Sequence, residues 1–270
     1  MVGGRLSNLA NRTWSERTGL TLSLARRELE SRYRGTFLGT VWVVVAPLLM
    51  LAVYTFVFGH ILKSRWGGDQ DTTSFALTLF SGLLLNGFLG ECLGRAASIM
   101  HSHSSYVKKM VFPLEVIPLS VITAALANAL IGYCILVLAM LLLGHAPGWA
   151  TLWLPFALLP FLVCVGGLAC LIAALGAYFR DVGQLVQFVL ILALFLSPVL
   201  YPLSSLPEAA RDYLALNPLT IPVEMVRALL FDAPMPTPTQ IAGYCLAAIL
   251  TALAGGWLFQ RVKSGFADVL

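Results

Sequence analysis

Charge is what this 270-residue chain has least of. Only 11% of its residues are Asp, Glu, Lys or Arg, against about 25% in an average soluble domain. Hydrophobic residues make up 59%, and the mean hydropathy is +0.85. From Phe37 to Leu62 no Asp, Glu, Lys or Arg occurs at all, and about 20 such residues suffice to cross a bilayer. That excludes an ordinary soluble fold and predicts one helical membrane bundle. Signatures of catalysis are missing as well. The chain has no G-x-x-x-x-G-K-[ST] loop for nucleotide phosphates, no H-E-x-x-H and no G-x-S-x-G elbow. Its four His (His60, His101, His103, His145) fall at span ends or in loops, and only Glu91 stands as a candidate for acid–base work inside a span. Neither the midplane ion ligands nor the internal repeat of a secondary transporter is visible. The five cysteines (Cys92, Cys134, Cys164, Cys170, Cys245) lie in apolar segments without metal-ligand spacing and read as small buried hydrophobes. His101-x-His103 has no third ligand close by, so no metal is expected. The net charge of +4 says little about partners, and no nucleic acid is expected.

What is present is organised around Leu20–Leu62. Leu22, Ala25, Leu29 and Tyr33 recur at helical spacing, with Arg26, Arg27, Glu30 and Arg34 opposite them. Glu28–Arg32 and Glu30–Arg34 are expected as i,i+4 pairs. A basic amphipathic helix therefore feeds directly into a membrane span, behind a polar lead-in over residues 1–19 with no cleavable leader. Six spans are predicted, at about 38–62, 74–99, 118–143, 151–178, 182–201 and 240–260. Pro47 is expected to bend the first. Glu91 and Arg95 stand one turn apart in the second and either pair with each other or snorkel at its cytoplasmic end, and Gly90 and Gly94 offer a helix–helix approach. Residues 101–113 form a polar, then basic, loop with a short helix. Residues 202–238 hold seven of the fourteen prolines and two helices too short to span, at 207–215 and 222–231, broken at Asn217-Pro218.

Orientation follows from the cations. Twelve Lys and Arg fall in the head, the second and fourth loops and the tail, against four in the first, third and fifth loops. Both termini are therefore expected on the cytosolic side.

The segments RRELESRYRGTFLGTVWVVVAPLLMLAVYTFVF, SSYVKKMVFPLEVIPLS, YFRDVGQLVQFVL, FLSPVLYPLSSLP, LNPLTIPVEMVRALL and the closing FADVL occur in this order. Together, over about residues 22–270, they resemble the membrane subunit of type-2 ABC exporters for bacterial surface polysaccharides, the O-antigen, capsule and teichoic-acid exporters. The resemblance implies an all-α fold of six spans in the bacterial inner membrane, with an interface helix and an external re-entrant hairpin. It implies two copies working with two copies of a separate ATPase, which binds the ATP and Mg, and a channel for a lipid-linked polysaccharide. This chain would hold no cofactor and catalyse nothing itself, and a periplasmic export partner is left open.

On that resemblance, Arg26, Arg27, Glu28, Arg32 and Tyr33 belong to the interface helix, facing anionic lipid headgroups or the ATPase. Ser105, Tyr106, Val107, Lys108, Lys109, Met110 and Phe112 form the coupling segment, with Tyr106, Met110 and Phe112 as an apolar plug. Trp42, Tyr54, Phe58, Glu91 and Arg95 are candidates to line the channel, where aromatic faces suit pyranose rings. Tyr201, Asn217, Glu224 and Arg227 are candidates for an external gate, with Glu224 and Arg227 paired at i,i+3. Two other classes share the composition: a type-2 ABC exporter of a small molecule or drug, and a membrane-embedded glycosyl- or acyltransferase.

Overall fold

A computed structural model of the protein describes residues 14–57, 72–107, 112–203, 207 and 213–269, and among them the regular structure is all helical, with no strand. Phe58, Lys108, Lys109 and Met110 lie outside the described residues, as does most of the helix expected at 207–215. Among the described residues five stretches are long and apolar enough to cross a membrane: Gly39–Val57, Thr73–Ser102, Val116–Leu142, Trp149–Tyr178 and Pro238–Gly265.

Helix α1, Trp14–Tyr33, begins earlier than apolar spacing suggests, taking in residues read as lead-in. Its start is polar, yet Thr21 and Ser23 bond back to the carbonyls of Arg17 and Gly19 at 2.9 and 2.8 Å. Such back-bonding keeps a hydroxyl compatible with a helix while erasing the amphipathic signal. A turn with Gly35 at φ +83° and Gly39 at φ +53° follows, both left-handed values that glycine adopts without strain. A 3-10 turn, Gly39–Val41, then leads into α2, Trp42–Tyr54, with Pro47 inside it. Helix α3, Thr72–Ser102, is the hub, and its 31 residues extend about 46 Å at 1.5 Å per residue. That is longer than the bilayer core of about 30 Å. A short α4, Ser104–Val107, follows, then α5, Val116–Leu142. The fourth span enters through a 3-10 segment, Trp149–Trp153, and one turn, Leu154–Ala157, before α6, Leu159–Tyr178.

Helix α7, Val182–Phe195, is shorter than the span expected over 182–201. Its 14 residues reach about 21 Å, and it stops ahead of Ser197-Pro198, because a residue before proline is pushed out of helical backbone. Helix α8, Thr220–Phe231, begins two residues earlier than expected and ends at Asp232 in the left-handed conformation. Helix α9, Pro238–Val262, starts at a full capping box between Thr237 and Gln240. The chain closes with α10, Phe266–Val269.

The core is built on α3, packed by α5, α6, α7 and α8, with α9 against α6. Helices α6 and α9 approach through Gly167 and Gly255. A Cβ on Gly167 would sit 2.6 Å from Ala252 Cα, and one on Gly255 would strike the Gly167 carbonyl. Gly176 likewise meets the backbone of Ala97 on α3. The close approaches are therefore on α6 and α9. Gly90 has open space around it and Gly94 meets only the Gln187 amide, so the expected small-residue contact at 90 and 94 is not where backbones touch.

Candidate functional site

Candidate functional residues gather at three places, and the largest grouping is along the C-terminal part of α3. Amphipathic spacing puts Leu22 on the buried side of α1, yet Leu22 is exposed while Leu24 and Ala25 are buried. The inward face is offset, and it carries Glu28 and Arg32 with it. Helix α1 lies along α5, and these two side chains reach across to α3. Arg32 Nη1 sits 2.9 Å from Glu91 Oε1, and Arg95 pairs with Glu28. The pair expected within α1, and the Glu91–Arg95 pair that was one of two readings for α3, thus give way to pairing between helices. Within α1 the pair observed is Arg26–Glu30, at 2.8 Å on the exposed face. Glu91 also accepts from Asn128 Nδ2 of α5 through both oxygens, at 3.0 and 3.2 Å. Burial alone would lower the Arg32 pKa, but the charge and hydrogen bond of Glu91 hold it above its ordinary value.

Between α1, the 34–40 turn and the end of α3 lies a cleft of about 1150 Å³, lined by Arg27, Glu28, Tyr33, Arg34, Arg95 and His103 among others. A second, of about 270 Å³, runs between α2, α3 and α5. Trp42, Tyr54, Tyr33, Arg32 and Glu91 line it with Asn128. Of the candidate channel residues, Trp42, Tyr54 and Glu91 are therefore brought together, while Arg95 faces the larger cleft.

The described part of the segment expected to couple to an ATPase joins this grouping. Arg27 Nη1 donates to the Tyr106 hydroxyl at 3.1 Å. The Tyr106 ring stacks between Phe112, at 5.2 Å, and His103, at 5.9 Å. Tyr106 and Phe112 are half-buried against the core, Val107 is buried, and Ser105 is exposed. His101 and His103 each approach a backbone carbonyl at 3.1 Å, those of Gly176 and Ile99. The tail helix α10 packs on α4 and α6. Phe266 is fully buried between Phe259 and Tyr178, and Tyr178 donates to the Val262 carbonyl at 3.0 Å. Lys263 Nζ reaches Glu115 at 2.7 Å, and Gln260 donates to the same oxygen at 2.9 Å. Burial alone would raise the Glu115 pKa; the bonds from Lys263 and Gln260 outweigh it and hold the carboxyl below its usual range. Sequence reasoning missed this anchor, although Glu115 and Lys263 flank spans whose cytosolic ends the charge count had already placed together.

At the opposite end, irregular backbone is tied down by side chains. Asn217 Nδ2 donates to the Ala193 and Leu196 carbonyls at 2.7 and 3.0 Å, and its Oδ1 accepts from Leu219 N at 3.0 Å. One side chain thus caps the end of α7 and the start of α8. Arg227, 6% exposed, donates to the Val199 carbonyl at 2.9 Å, so its guanidinium ties down the chain after α7, and Glu224 lies close enough to interact with it electrostatically. Tyr244 donates to the Pro218 carbonyl at 3.0 Å, and Tyr201 to that of Phe195 at 2.8 Å. Most of α8 is buried, including Ile221, Val223, Val226 and Leu230, which seats it in protein and not flat on lipid.

Residues 19–231 match the family model described as ABC-2 type transporter. The chain is 30% identical over 252 residues to the O-antigen export system permease protein RfbA of Myxococcus xanthus, covering 93% of this chain and 95% of the relative. It is 24% identical, with the same coverage, to the O-antigen export system permease protein RfbA of Klebsiella pneumoniae. To the polysialic acid transport protein KpsM of Escherichia coli it is 26% identical over 245 residues, covering 88% and 91%. With five apolar membrane-length helices and a family match across most of its length, the chain belongs to the ABC-2 type transporter family as a multi-pass membrane protein.

Proposed function

We propose that this chain is the permease half of an ATP-driven exporter that moves a lipid-linked polysaccharide across the bacterial inner membrane. The observation that carries it is the match over 93% of the chain to permeases named for O-antigen export. The chain has no phosphate loop of its own, so ATP and Mg belong to a separate ABC ATPase, and the permease acts as a homodimer with two such subunits. Both termini are cytosolic, as the distribution of Lys and Arg requires. Helix α7 with the tied-down chain after it makes the remaining crossing of six. Residues 202–238 form an external re-entrant segment, with Tyr201, Asn217, Glu224 and Arg227 at the outer mouth. The bonds from Asn217, Arg227 and Tyr244 support this, because irregular backbone within a bilayer needs protein partners. Trp42, Tyr54 and Phe58 line the sugar path, and Ser105–Phe112 docks on the ATPase.

The test is reconstitution of the permease with its ATPase, followed by mass spectrometry of the lipid and glycan it retains and exports. A lipid-linked glycan is expected; a small molecule as the sole transported species would overturn the substrate assignment. Tyr106→Ala, or reversal of Lys108 and Lys109 to Glu, is expected to leave the permease inserted but to separate ATP hydrolysis from export. Export at the wild-type level by these variants would count against the docking surface.

A further inference from the structure

Glu28 and Arg95 form one rung between α1 and α3, and Arg32 and Glu91 form another. The two rungs have opposite polarity, and that polarity has a geometric consequence. Moving four residues forward along α1, from 28 to 32, moves four residues back along α3, from 95 to 91, so the two helices are read in opposite directions. Sliding α1 by one turn, about 5.4 Å, in one sense brings Glu28 to Glu91. Sliding it in the other sense brings Arg32 to Arg95. Either shift therefore replaces attraction by like-charge repulsion in partly buried surroundings. The Glu91 carboxylate is at the same time held by Asn128 of α5, the helix along which α1 lies. A helix resting on headgroups by its basic face would need none of this. It would turn its charges to water, as Arg26 and Glu30 do.

We propose that Glu28, Arg32, Glu91 and Arg95 are positioning residues that lock the register of α1 against α3. Helix α1, α3 and the coupling segment, joined to α1 through Arg27 and Tyr106, then move as one body during transport. The parts of α1, α2 and α3 where Tyr33, Trp42 and Glu91 border the smaller cleft are carried by that motion. The transport role rests on the reading given above; the register lock itself does not.

A charge exchange at one rung separates a lock from a simple anchor. In Glu28→Arg/Arg95→Glu both rungs keep an attractive pair. Yet a one-turn slide now brings the new cation at position 28 to Glu91, or Arg32 to the new carboxylate at position 95, so neither slide is penalised. Exchanging the second rung too, with Arg32→Glu and Glu91→Arg, restores alternation. Spin labels at Arg26→Cys on α1 and Ser98→Cys on α3, both exposed positions, placed in a cysteine-free background, report the register in nanodiscs. The wild-type charges are expected to give one narrow distance distribution. The one-rung exchange is expected to add a population displaced by about one helical turn, about 5.4 Å, and the two-rung exchange to remove it. An unchanged distribution in the one-rung exchange would overturn the lock.

In the reconstituted complex, glycan exported per ATP hydrolysed is expected to fall about tenfold in the one-rung exchange and to recover in the two-rung exchange. Wild-type export per ATP in the one-rung exchange would remove the transport role while leaving the register result standing. A wild-type complex that exports no glycan would instead overturn the functional reading, and the nanodisc distances would still decide the lock. Should the one-rung exchange fold poorly, the wild-type label pair measured with and without ATP decides: a change approaching a helical turn contradicts movement as one body.

Discussion

Asn217 shows how much one amide can hold. It donates to two carbonyls at the end of α7 and accepts from the amide that opens α8. Leaving a buried backbone group unpaired costs about 1–3 kcal/mol. Asn217→Ala is therefore expected to lower resistance to denaturation in detergent by about that much. Asn217→Asp keeps the acceptor but loses the donors, and should recover only part of the loss; a neutral Asn217→Ala would show that the α7–α8 junction is held elsewhere. Glu115 makes a prediction in pH. Its pKa is depressed in the folded chain, so its contribution is fully present above the ordinary carboxylate pKa and is lost as pH falls below it. The tail is thus expected to become accessible to protease on acidification below about pH 4.5, the unfolded reference. Glu115→Gln should expose the tail at neutral pH and flatten the profile. A profile unaltered by that substitution would mean that Phe266, and not the ion pair, anchors the tail.

At the scale of elements, close packing sits where glycine replaces side chains. A Cβ on Gly255 would meet the Gly167 carbonyl. Overpacking costs about 1–3 kcal/mol when only side chains must yield, and here backbone must move. Gly255→Leu and Gly176→Val are expected to reduce folded yield sharply, whereas Gly90→Ala, with open space around it, should be tolerated. Equal tolerance at all three would place the helix contacts elsewhere. Five of the six expected spans were legible, because apolar length is a property of each segment alone: 118–143 was expected and Val116–Leu142 is found. The glycine contacts were not legible, since Gly90-x-x-x-Gly94 and the Gly167–Gly255 approach look alike until partners are known. The partial burial of Glu28 and Arg32 was hidden for the same reason. Both read as one i,i+4 pair within α1 until α3 presents Arg95 and Glu91, and partners distant in sequence leave no periodic trace. The short α7 was signalled by Pro198, which the hydropathy of its neighbours masked.

For the whole molecule, two helices are covered on one side only within the chain: α2, which meets α3 and α5, and α7, which meets α3. No residue of Gly39–Val57 is buried, and in α7 only Val186 is. Leu48, Leu49, Val53 and Phe56 on one, and Leu185, Phe188, Ile191 and Phe195 on the other, lie open. Lipid can cover such faces, but a single bundle of this size cannot also enclose a hydrated sugar chain. Two-fold dimers are the commonest way for one chain to complete such an enclosure. The purified permease is therefore expected to have the mass of two copies in a nanodisc, and a stable monomer that exports would sink the dimer. Sidedness is checked separately, after the five native cysteines are replaced. Tyr213→Cys and Leu216→Cys, at positions 76% and 83% exposed, should react with impermeant thiol reagents added outside. Val226→Cys, at a fully buried position on α8, should react only if the segment opens, and so faster while glycan is moving. Labelling of Tyr213→Cys and Leu216→Cys only from the cytosolic side would invert the topology and remove the outer mouth with it. Outside labelling with no change at Val226→Cys during export would keep the topology and leave α8 as a fixed wall of the path.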